Sequence, residues 1–208
     1  MHLEANNIGH YYGHRQWVLR GVDIKIAAGE IVGLSGPSGY GKTTLGRILA
    51  GYETPYEGGV LFNGLPLPKV GYNPVQLVFQ HPEKAVNPRW RMKETLNEGG
   101  NPDTTIIKAL GIQEEWFCRW PNELSGGELQ RFCVARALTK KTRFLIADEM
   151  TTMLDAITQA QLWHVVLDFA RNSGIGILVI SHDERLINRL CHKVIDLAAI
   201  NKLQRPSA

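Results

Sequence analysis

The chain has 208 residues, enough for one sizeable domain with its own hydrophobic core. Its 44% hydrophobic and 21% charged residues are ordinary for a globular protein, and a net charge of +3 without a Lys/Arg block gives no support for nucleic-acid binding. No apolar run reaches the roughly 18 residues of a membrane span, the first ten residues do not form a signal peptide, and the three cysteines form no C-x-x-C pair, so we expect a cytosolic protein without a zinc or redox motif.

The first elements of the chain predict β structure. In "VLRGVDIKIAAGE" the residues Val22, Ile24 and Ile26 alternate with polar neighbours, which is typical of a strand with one buried face. The stretch "EIVGLSG", residues 30–36, is a short apolar run typical of a buried strand.

The stretch "GPSGYGKTT", residues 36–44, follows that strand and fits the pattern G-x-x-x-x-G-K-[ST]. Glycines allow the backbone to approach an anion closely, and successive N–H groups then form an anion-binding nest. Lys42 adds a positive charge for the β- and γ-phosphates, and the Thr43 hydroxyl is a ligand for Mg²⁺. The following "KTTLGRILAG" predicts a helix whose N-terminus faces the phosphates. A glycine-rich turn that fits by chance is the alternative.

In the middle of the chain, the sequence pattern changes from strands to loops and short helices. "GGVLFNGLPL" predicts a hairpin that turns at Asn63 and Gly64, and Val75–Gln80 predicts a second buried strand. Residues 81–122 contain an irregular, proline-broken loop and short helical patterns, one of them starting near Pro102. We interpret this part as a small helical insert.

Strands and helices alternate again in the last part of the chain. "SGGELQRFCVARAL" and "DAITQAQLWHVVLDFARNSG" predict helices, the second ending at Gly174, whereas "RFLIADE" and "IGILVISH" predict buried strands. We expect the final "HKVIDLAAINKLQ" to form a terminal hairpin. This alternation favours an α/β fold with a parallel sheet.

Polar residues at two strand ends predict the chemistry of phosphate transfer. An NTPase needs one carboxylate near Mg²⁺ and another that orients or deprotonates the attacking water. Asp148 suits the first role and Glu149 the second, and His182 is placed to contact the γ-phosphate or the water. The alternatives are a strand that simply ends in polar residues and an ordinary histidine in a turn.

A second anion site is predicted in "ELSGGELQR", residues 123–131. Its serine and two glycines open a helix, where backbone N–H groups and the positive end of the helix favour an anion. Ser125 is also a good N-cap, with Glu128 three residues later as in a capping box, and this alternative is compatible with phosphate binding.

Together these motifs resemble the ATP-binding subunit of ABC transporters over nearly the whole chain. "GPSGYGKTT" is similar to Walker A, "LSGGELQR" to the family signature and "FLIADE" to Walker B, while "VFQHP", "TTMLD" and "VISHD" are similar to the Q-loop, the D-loop and the switch histidine. The resemblance implies an α/β P-loop NTPase core of the ABC type with an N-terminal antiparallel β region and a small helical subdomain. It also implies one domain over residues 1–208, with a RecA-like core at about 1–80 and 138–208 and the helical subdomain at about 81–137.

The resemblance implies roles for individual residues, with ATP and Mg²⁺ as cofactors. Tyr12 lies where the family places an aromatic ring under adenine, and Gln80 would contact Mg²⁺ or the attacking water. Asp155 would lie at the interface between two ATPase subunits. Each ATP would then be held between Walker A of one subunit and the signature of its neighbour. Further nucleotide contacts are implied for Gly36, Pro37, Ser38, Gly39, Tyr40, Gly41, Thr44, Ser125, Gly126 and Gly127.

A narrower resemblance links the chain to importers of the peptide and nickel subfamily. "QHPEKAVNPRWRM" and "DEMTTMLD" are similar to the corresponding stretches of that subfamily, although Met150 stands where proline is usual. The partners implied are a second ATPase subunit, identical or homologous, two transmembrane permease subunits and, indirectly, an extracytoplasmic solute-binding protein. The chain would lie on the inner face of the membrane. The alternatives are a non-transport ABC ATPase that acts on nucleic acid or ribosomes, and a module that binds ATP without turnover.

Overall fold

Two β-sheets organise the chain in the computed structural model, which describes residues 1–13, 16–100 and 103–203. The strands of these residues are β1 (His2–Tyr12), β2 (Gln16–Ala27), β3 (Ile31–Ser35), β4 (Glu57–Phe62), β5 (Leu65–Pro66), β6 (Val75–Val78), β7 (Phe144–Asp148), β8 (Gly176–Ile180) and β9 (Lys193–Asp196). The helices are α1 (Lys42–Leu49), α2 (Met92–Glu98), α3 (Thr104–Ala109), α4 (Gly126–Ala137), α5 (Ala156–Ser173), α6 (Glu184–Leu190) and α7 (Leu197–Ile200). Antiparallel strands pair in the order β2-β1-β4-β5, and parallel strands in the order β6-β7-β8-β3-β9.

The antiparallel sheet follows from period-two alternation near the N-terminus. Val22, Ile24 and Ile26 of β2 are buried, as predicted, because side chains on a strand point alternately to its two faces. The hairpin between β4 and β5 turns at Asn63 and Gly64, whose φ angles of 51° and 79° are both positive. Two positive φ angles are typical of the type I′ turn that suits a two-residue hairpin, so this prediction is confirmed.

The parallel sheet separates two hydrophobic cores. Strands β7 and β8 are buried along their whole length, and successive residues point to opposite faces. Ile146 and Ile180 contribute to the core shared with the antiparallel sheet and α1, whereas Ala147 and Val179 contribute to the core beneath α4 and α5. Because both faces are covered, these strands are apolar in sequence except for Asp148 at the end of β7.

The carboxyl ends of the parallel strands meet at one edge of the sheet. The loop after β3 leads into α1, Gln80 follows β6, Asp148 ends β7, and His182 follows β8. Ligands of open α/β sheets bind at this edge. The fold therefore brings together segments that are up to about 146 residues apart in sequence, from 36 to 182.

Short helices occupy the segment between β6 and β7. Met92 and Leu96 of α2 are buried with Leu129 and Phe132 of α4 in one core. Helix α3 begins after Asp103, whose Oδ1 accepts a hydrogen bond of 2.9 Å from the backbone N–H of Thr105. The predicted start signal, Pro102 near the first turn, lies outside the described residues. The predicted start and end of the helical subdomain remain a prediction.

The expected hairpin at the C-terminus is wrong. Residues 193–196 form β9, which pairs in parallel with β3, and residues 197–200 form the short helix α7. Asp196 caps that helix, because its Oδ1 accepts a hydrogen bond of 2.9 Å from the Ala198 N–H. Helix α6 was not predicted from sequence; Asp183 caps it by accepting hydrogen bonds from the N–H groups of Arg185 and Leu186. In the part of the chain described here, no helix combines the length and apolar character needed to cross a bilayer.

Candidate nucleotide site

The phosphate-binding loop joins β3 to α1 and takes a shape that depends on glycine. Gly36 and Gly41 have φ angles of 139° and 97°, in a region that residues with a side chain rarely adopt. A Cβ on Gly41 would also come within 2.8 Å of side-chain atoms of Val18 and Leu19. The loop therefore packs tightly on β2 while its backbone remains open at the N-terminus of α1, where N–H groups favour an anion.

Lys42 places its ammonium group inside this loop. Its side chain is buried, and Nζ donates hydrogen bonds to the carbonyl oxygens of Gly36 at 2.6 Å and Pro37 at 3.0 Å. Burial lowers the pKa of the Lys42 ammonium, while the nearby carboxylates of Glu149 and Asp148 act in the opposite direction. A buried cation at the mouth of a nest is suited to a phosphate, which is a stronger acceptor than a carbonyl oxygen.

Thr43 and Asp148 bring two oxygen ligands together from distant parts of the chain. The Thr43 hydroxyl donates to Asp148 Oδ1 at 3.2 Å, and Asp148 is only 4% exposed. Burial raises the pKa of the Asp148 carboxyl, and the hydrogen bond from Thr43 partly offsets that effect. A hydroxyl and a carboxylate are ligands that Mg²⁺ prefers, so this pair fits the predicted metal.

Glu149 adopts a different backbone conformation from its neighbour. Its φ angle is 47°, which is uncommon for a residue with a side chain. The carboxylate lies 3.0 Å from Nε2 of His182 and accepts hydrogen bonds from Gln80 Nε2 at 3.2 Å and from the Thr152 hydroxyl at 3.3 Å. Two of the predicted catalytic residues, His182 and Gln80, are therefore in direct contact with the third, Glu149.

Tyr12 lies beside the phosphate loop and is held by its hydroxyl group. That hydroxyl donates a hydrogen bond to Glu53 and lies 3.4 Å from the Thr44 hydroxyl. Glu53 is also contacted by His10 Nε2 at 3.4 Å and Arg47 at 3.3 Å. Burial, followed by the hydrogen bond to Glu53, raises the pKa of the Tyr12 phenol. Tyr12 as a whole residue is 46% exposed, so it is accessible to a base.

One cavity of about 430 Å³ joins these groups. It brings Tyr12 to the same space as the phosphate loop, Gln80, Glu149 and His182. Pro37 contributes the carbonyl bonded to Lys42, and the half-buried Tyr40 donates its N–H to that carbonyl at 3.4 Å. The loop residues that line the cavity are Ser38, Gly39, Gly41, Lys42, Thr43 and Thr44.

The second predicted anion site opens α4. The Ser125 Oγ accepts from the Glu128 N–H at 3.3 Å, and the Glu128 carboxylate accepts from the Ser125 N–H at 2.7 Å. This is the capping box considered above, and it leaves the exposed Gly126 and half-buried Gly127 in the first turn. The cap and an anion at the same helix end are compatible, since the cap satisfies only some of the free N–H groups.

Asp155 lies near the second anion site and caps α5. Its Oδ1 accepts 3.0 Å hydrogen bonds from the N–H groups of Ile157 and Thr158. The hydroxyl and N–H of Thr158 lower the pKa of this carboxyl. Asp155, Ser125 and Gly127 line a cavity of about 510 Å³ that shares no lining residue with the cavity at the phosphate loop.

Three residues at the site were not anticipated from sequence. Glu53 holds Tyr12, Thr152 contacts the Glu149 carboxylate, and Gln130 joins α4 to the segments beside Gln80 and Glu149. Gln130 lies within "ELSGGELQR", but a single helical pattern does not show which backbone carbonyls its side chain meets. Glu53 has no local signal, because its partners come from β1 and α1.

The sequence is similar to a known family and to individual proteins within it. The family model described as "ABC transporter" matches residues 19–152. The nickel import ATP-binding protein NikE of Escherichia coli K12 is 34% identical over 220 aligned residues, which cover 93% of this chain and 82% of NikE. NikE of Rhodospirillum rubrum is 36% identical over 199 residues, which cover 86% of this chain and 72% of that protein.

Solved structures of ATP-binding cassettes share the fold. The cassette MJ0796, in a dimeric post-hydrolysis state bound to ADP and Pi, superposes with a TM-score of 0.79 at 23% identity and covers 93% of both chains. The protein cbiO1 of Clostridium perfringens, part of the transporter complex cbiONQ, gives a TM-score of 0.75 at 23% identity and covers 93% of this chain and 83% of its own. At these identities the superpositions show a common fold.

Proposed function

This chain belongs to the ABC transporter family and is an ATPase of that type, and from that premise we propose that it energises import of a small solute. The candidate solutes are nickel, a metal chelate or a peptide. The import direction and the solute class are supported by the identity to NikE, whose name describes nickel import. We propose that other subunits select the solute; among the described residues no group of three or more His, Cys, Asp or Glu side chains is placed to hold a metal ion.

The observation that carries the proposed ATP-driven mechanism is the separation of the two anion sites within one chain. The phosphate loop and the Ser125 helix end line different cavities with no common residue. We propose that each site is completed by a second ATPase subunit, identical or homologous, whose Ser125, Gly126, Gly127 and Asp155 regions face the first subunit's nucleotide. The dimeric state described for MJ0796 supports such an arrangement.

Binding energy from this arrangement would drive closure. A nucleotide that shifts a closure equilibrium from 1:99 to 99:1 must favour the closed form by roughly 5.5 kcal/mol. Contacts that exist in both forms contribute nothing to that difference. Ser125 and its two glycines would supply contacts made only in the closed dimer, and hydrolysis would remove them.

The site residues divide the chemistry between them. We propose that Lys42 and the loop N–H groups hold the β- and γ-phosphates, and that the Tyr12 ring contacts adenine. Thr43, Asp148 and, through its amide oxygen, Gln80 would hold Mg²⁺, which when bound offsets the negative charge of the phosphates. Glu149 would accept the proton of the attacking water while His182 and Gln80 keep the carboxylate in place.

Two permease subunits are the proposed membrane partners. A groove of about 720 Å³ runs between the parallel-sheet core and the helical segment and includes Tyr52, Phe79 and Arg136. Phe79, which lines this groove, directly precedes Gln80 in sequence. A permease segment in the groove would therefore contact the backbone of a catalytic loop. We propose that the chain works as one domain on the cytoplasmic face of the membrane, and that a solute-binding protein acts on the far side.

The proposal is tested by the substitution Glu149→Gln. Removal of the carboxylate should reduce the maximal rate of ATP hydrolysis at least 100-fold, in line with the usual contribution of a general base. ATP affinity, measured by titration calorimetry with Mg²⁺, should stay within about twofold because Lys42 and the loop are unchanged. Glu115→Gln, at an exposed carboxylate in the helical segment, is the matched control and should hydrolyse normally. Wild-type turnover by Glu149→Gln would exclude Glu149 as the base.

A further inference from the structure

Gln130 lies in the middle of α4 and is 2% exposed. Its side-chain Nε2 donates two hydrogen bonds, to the carbonyl oxygen of Phe79 at 3.1 Å and to that of Met150 at 2.8 Å. Phe79 is the residue before Gln80, and Met150 is the residue after Glu149. One buried amide therefore joins the signature helix to both segments that carry the proposed catalytic groups.

The orientation of this amide follows from its partners. Two carbonyl oxygens accept from Gln130, and only the nitrogen of an amide can donate to them. The amide oxygen has no hydrogen-bond partner among the residues that the structure describes. A buried acceptor without a partner is unfavourable, so the two hydrogen bonds that Gln130 donates must offset the free-energy cost of burying its amide oxygen.

The segment after Glu149 has a conformation that needs such support. A residue with a side chain and a φ of 47° persists only where the surroundings hold it. The Glu149 N–H donates to the Ile180 carbonyl at 2.9 Å, which fixes one side of this residue. On the other side Gln130 holds the Met150 carbonyl, and Thr151 Oγ1 accepts from Gln159 at 2.8 Å and Trp163 at 3.2 Å.

We propose that Gln130 is a positioning residue for ATP hydrolysis. It holds the backbone on either side of the Glu149–Gln80 contact, so that the carboxylate and the amide keep the separation of 3.2 Å. Gln130 and Ser125 belong to the same capped helix, so a displacement of that helix end by a second subunit is passed to the catalytic carboxylate through these two hydrogen bonds. The inference rests on the proposed role of Glu149 in hydrolysis. Gln130 does not line the nucleotide cavity, so it acts through Glu149 and Gln80.

The substitution Gln130→Met tests this inference. Methionine has a similar length and suits a buried site, but it cannot donate to either carbonyl. We expect the maximal rate of hydrolysis to fall between 10- and 100-fold, since a small misplacement of a catalytic group costs about that much. The Michaelis constant and the ATP affinity should stay within about twofold of wild type.

Val134→Ala is the matched control. Val134 lies one helical turn further along α4 and is fully buried, so its truncation weakens the same helix without removing a hydrogen bond. At a temperature well below both melting temperatures, Val134→Ala should keep the wild-type rate. If Gln130→Met is no slower than Val134→Ala, or if its ATP affinity falls as much as its rate, Gln130 has only a structural role and the inference is wrong.

A double-mutant comparison separates this inference from the proposed function. If Gln130 acts through Glu149, Gln130→Met should slow the Glu149→Gln variant by less than twofold, although it slows the wild type at least tenfold. A full multiplicative loss in the double variant would overturn the inference. Normal hydrolysis by Glu149→Gln alone would instead overturn the catalytic role of Glu149. Should Gln130→Met fold poorly, Gln130→Leu is the second variant: leucine also suits a buried site and cannot donate to either carbonyl, and the same loss of rate is expected.

Discussion

Asp148 and Glu149 show how two adjacent carboxylates acquire different roles. Asp148 ends a buried strand and points to Thr43, whereas Glu149 turns to a positive φ and points to Gln80 and His182. Their identity and order were predictable from sequence, because an acidic pair at the end of a buried strand suits phosphate chemistry. Their separate partners were not, because each partner comes from a different strand end.

We predict that the Asp148 carboxylate strengthens Mg²⁺ binding but lowers the stability of the folded protein when Mg²⁺ is not bound. Burial raises the pKa of its carboxyl, so the ionised carboxylate destabilises the folded chain relative to the unfolded chain, in which it is solvated. Asp148→Asn should therefore raise Tm without nucleotide or metal, by roughly 2–4 °C for each kcal/mol gained. Added Mg²⁺ and ATP should raise the Tm of wild type by more than that of the variant, since a ligand stabilises the folded protein more when it binds more tightly.

Differential scanning calorimetry at a pH of about 7.5 would check this prediction. Asp168→Asn is the control, at a carboxylate that is half-exposed on α5, and should change stability by only about 0.5 kcal/mol. A lower Tm of Asp148→Asn in the absence of ligand would mean that Lys42, Arg47 and the Thr43 hydroxyl already compensate the buried charge fully.

At the scale of elements, the predicted end of one helix is confirmed and the predicted C-terminal hairpin is wrong. Helix α5 ends at Gly174, as predicted, because glycine readily takes the left-handed conformation that closes a helix. The last segment was predicted as a hairpin, yet β9 pairs with β3, and Asp196 starts a helix. The apolar pattern of residues 193–196 suits any strand, so pairing with a distant strand rather than a following one is a tertiary choice.

Gly174→Ala tests the role of that helix end. Gly174 has a φ of 65°. Apart from its chain neighbours, no described residue has an atom within 4 Å of the Cβ that alanine would add. Backbone strain, and not a steric clash, therefore decides the effect. We expect a loss of about 1–2 kcal/mol in the free energy of unfolding, measured by urea titration. Gly59→Ala in β4 is the control, because Gly59 has equal space and no positive φ, and it should be neutral or slightly stabilising. Equal effects of the two substitutions would contradict the assigned role of the left-handed cap.

At the scale of the whole molecule, the two anion sites line different cavities, and we propose that a second chain completes each site. The motifs predicted both sites, and the capping box at Ser125 leaves N–H groups at that helix end for an anion. The resemblance to a family, rather than the spacing of the motifs, supplied the idea that one chain completes the other. The geometry is compatible with that idea because the Ser125 cavity and the Lys42 cavity remain separate within one chain.

ATP-dependent association is the prediction at this scale. With hydrolysis slowed by Glu149→Gln, ATP should shift the mass of 23.3 kDa, measured by light scattering, toward that of a dimer. Adding Ser125→Arg should prevent the shift, since a long side chain at the helix N-terminus blocks the approach of a phosphate. Ser173→Arg, at the exposed end of α5, should not prevent it.

ATP-dependent association should also be measured with a homologous ATPase subunit, if one copurifies with this chain. If neither a second copy nor an ATPase subunit that copurifies with this chain associates in the presence of ATP, the proposal of a shared site is wrong. Weak hydrolysis by the dilute chain, rising with concentration or with the companion subunit, is the expected kinetic result. Full activity of a demonstrated monomer would contradict it.

The sequence by itself determined the local chemistry of this protein: a glycine loop for phosphate, acids at the end of a buried strand, and caps at helix ends. These features depend on a few adjacent residues and on periodicity, which neighbours along the chain set. Only the tertiary structure decided that Glu53 holds Tyr12, that β9 joins β3, and that Gln130 ties three segments together. The physical reason is that hydrogen bonds between segments depend on how strands and helices pack, and that packing is decided over the whole chain at once.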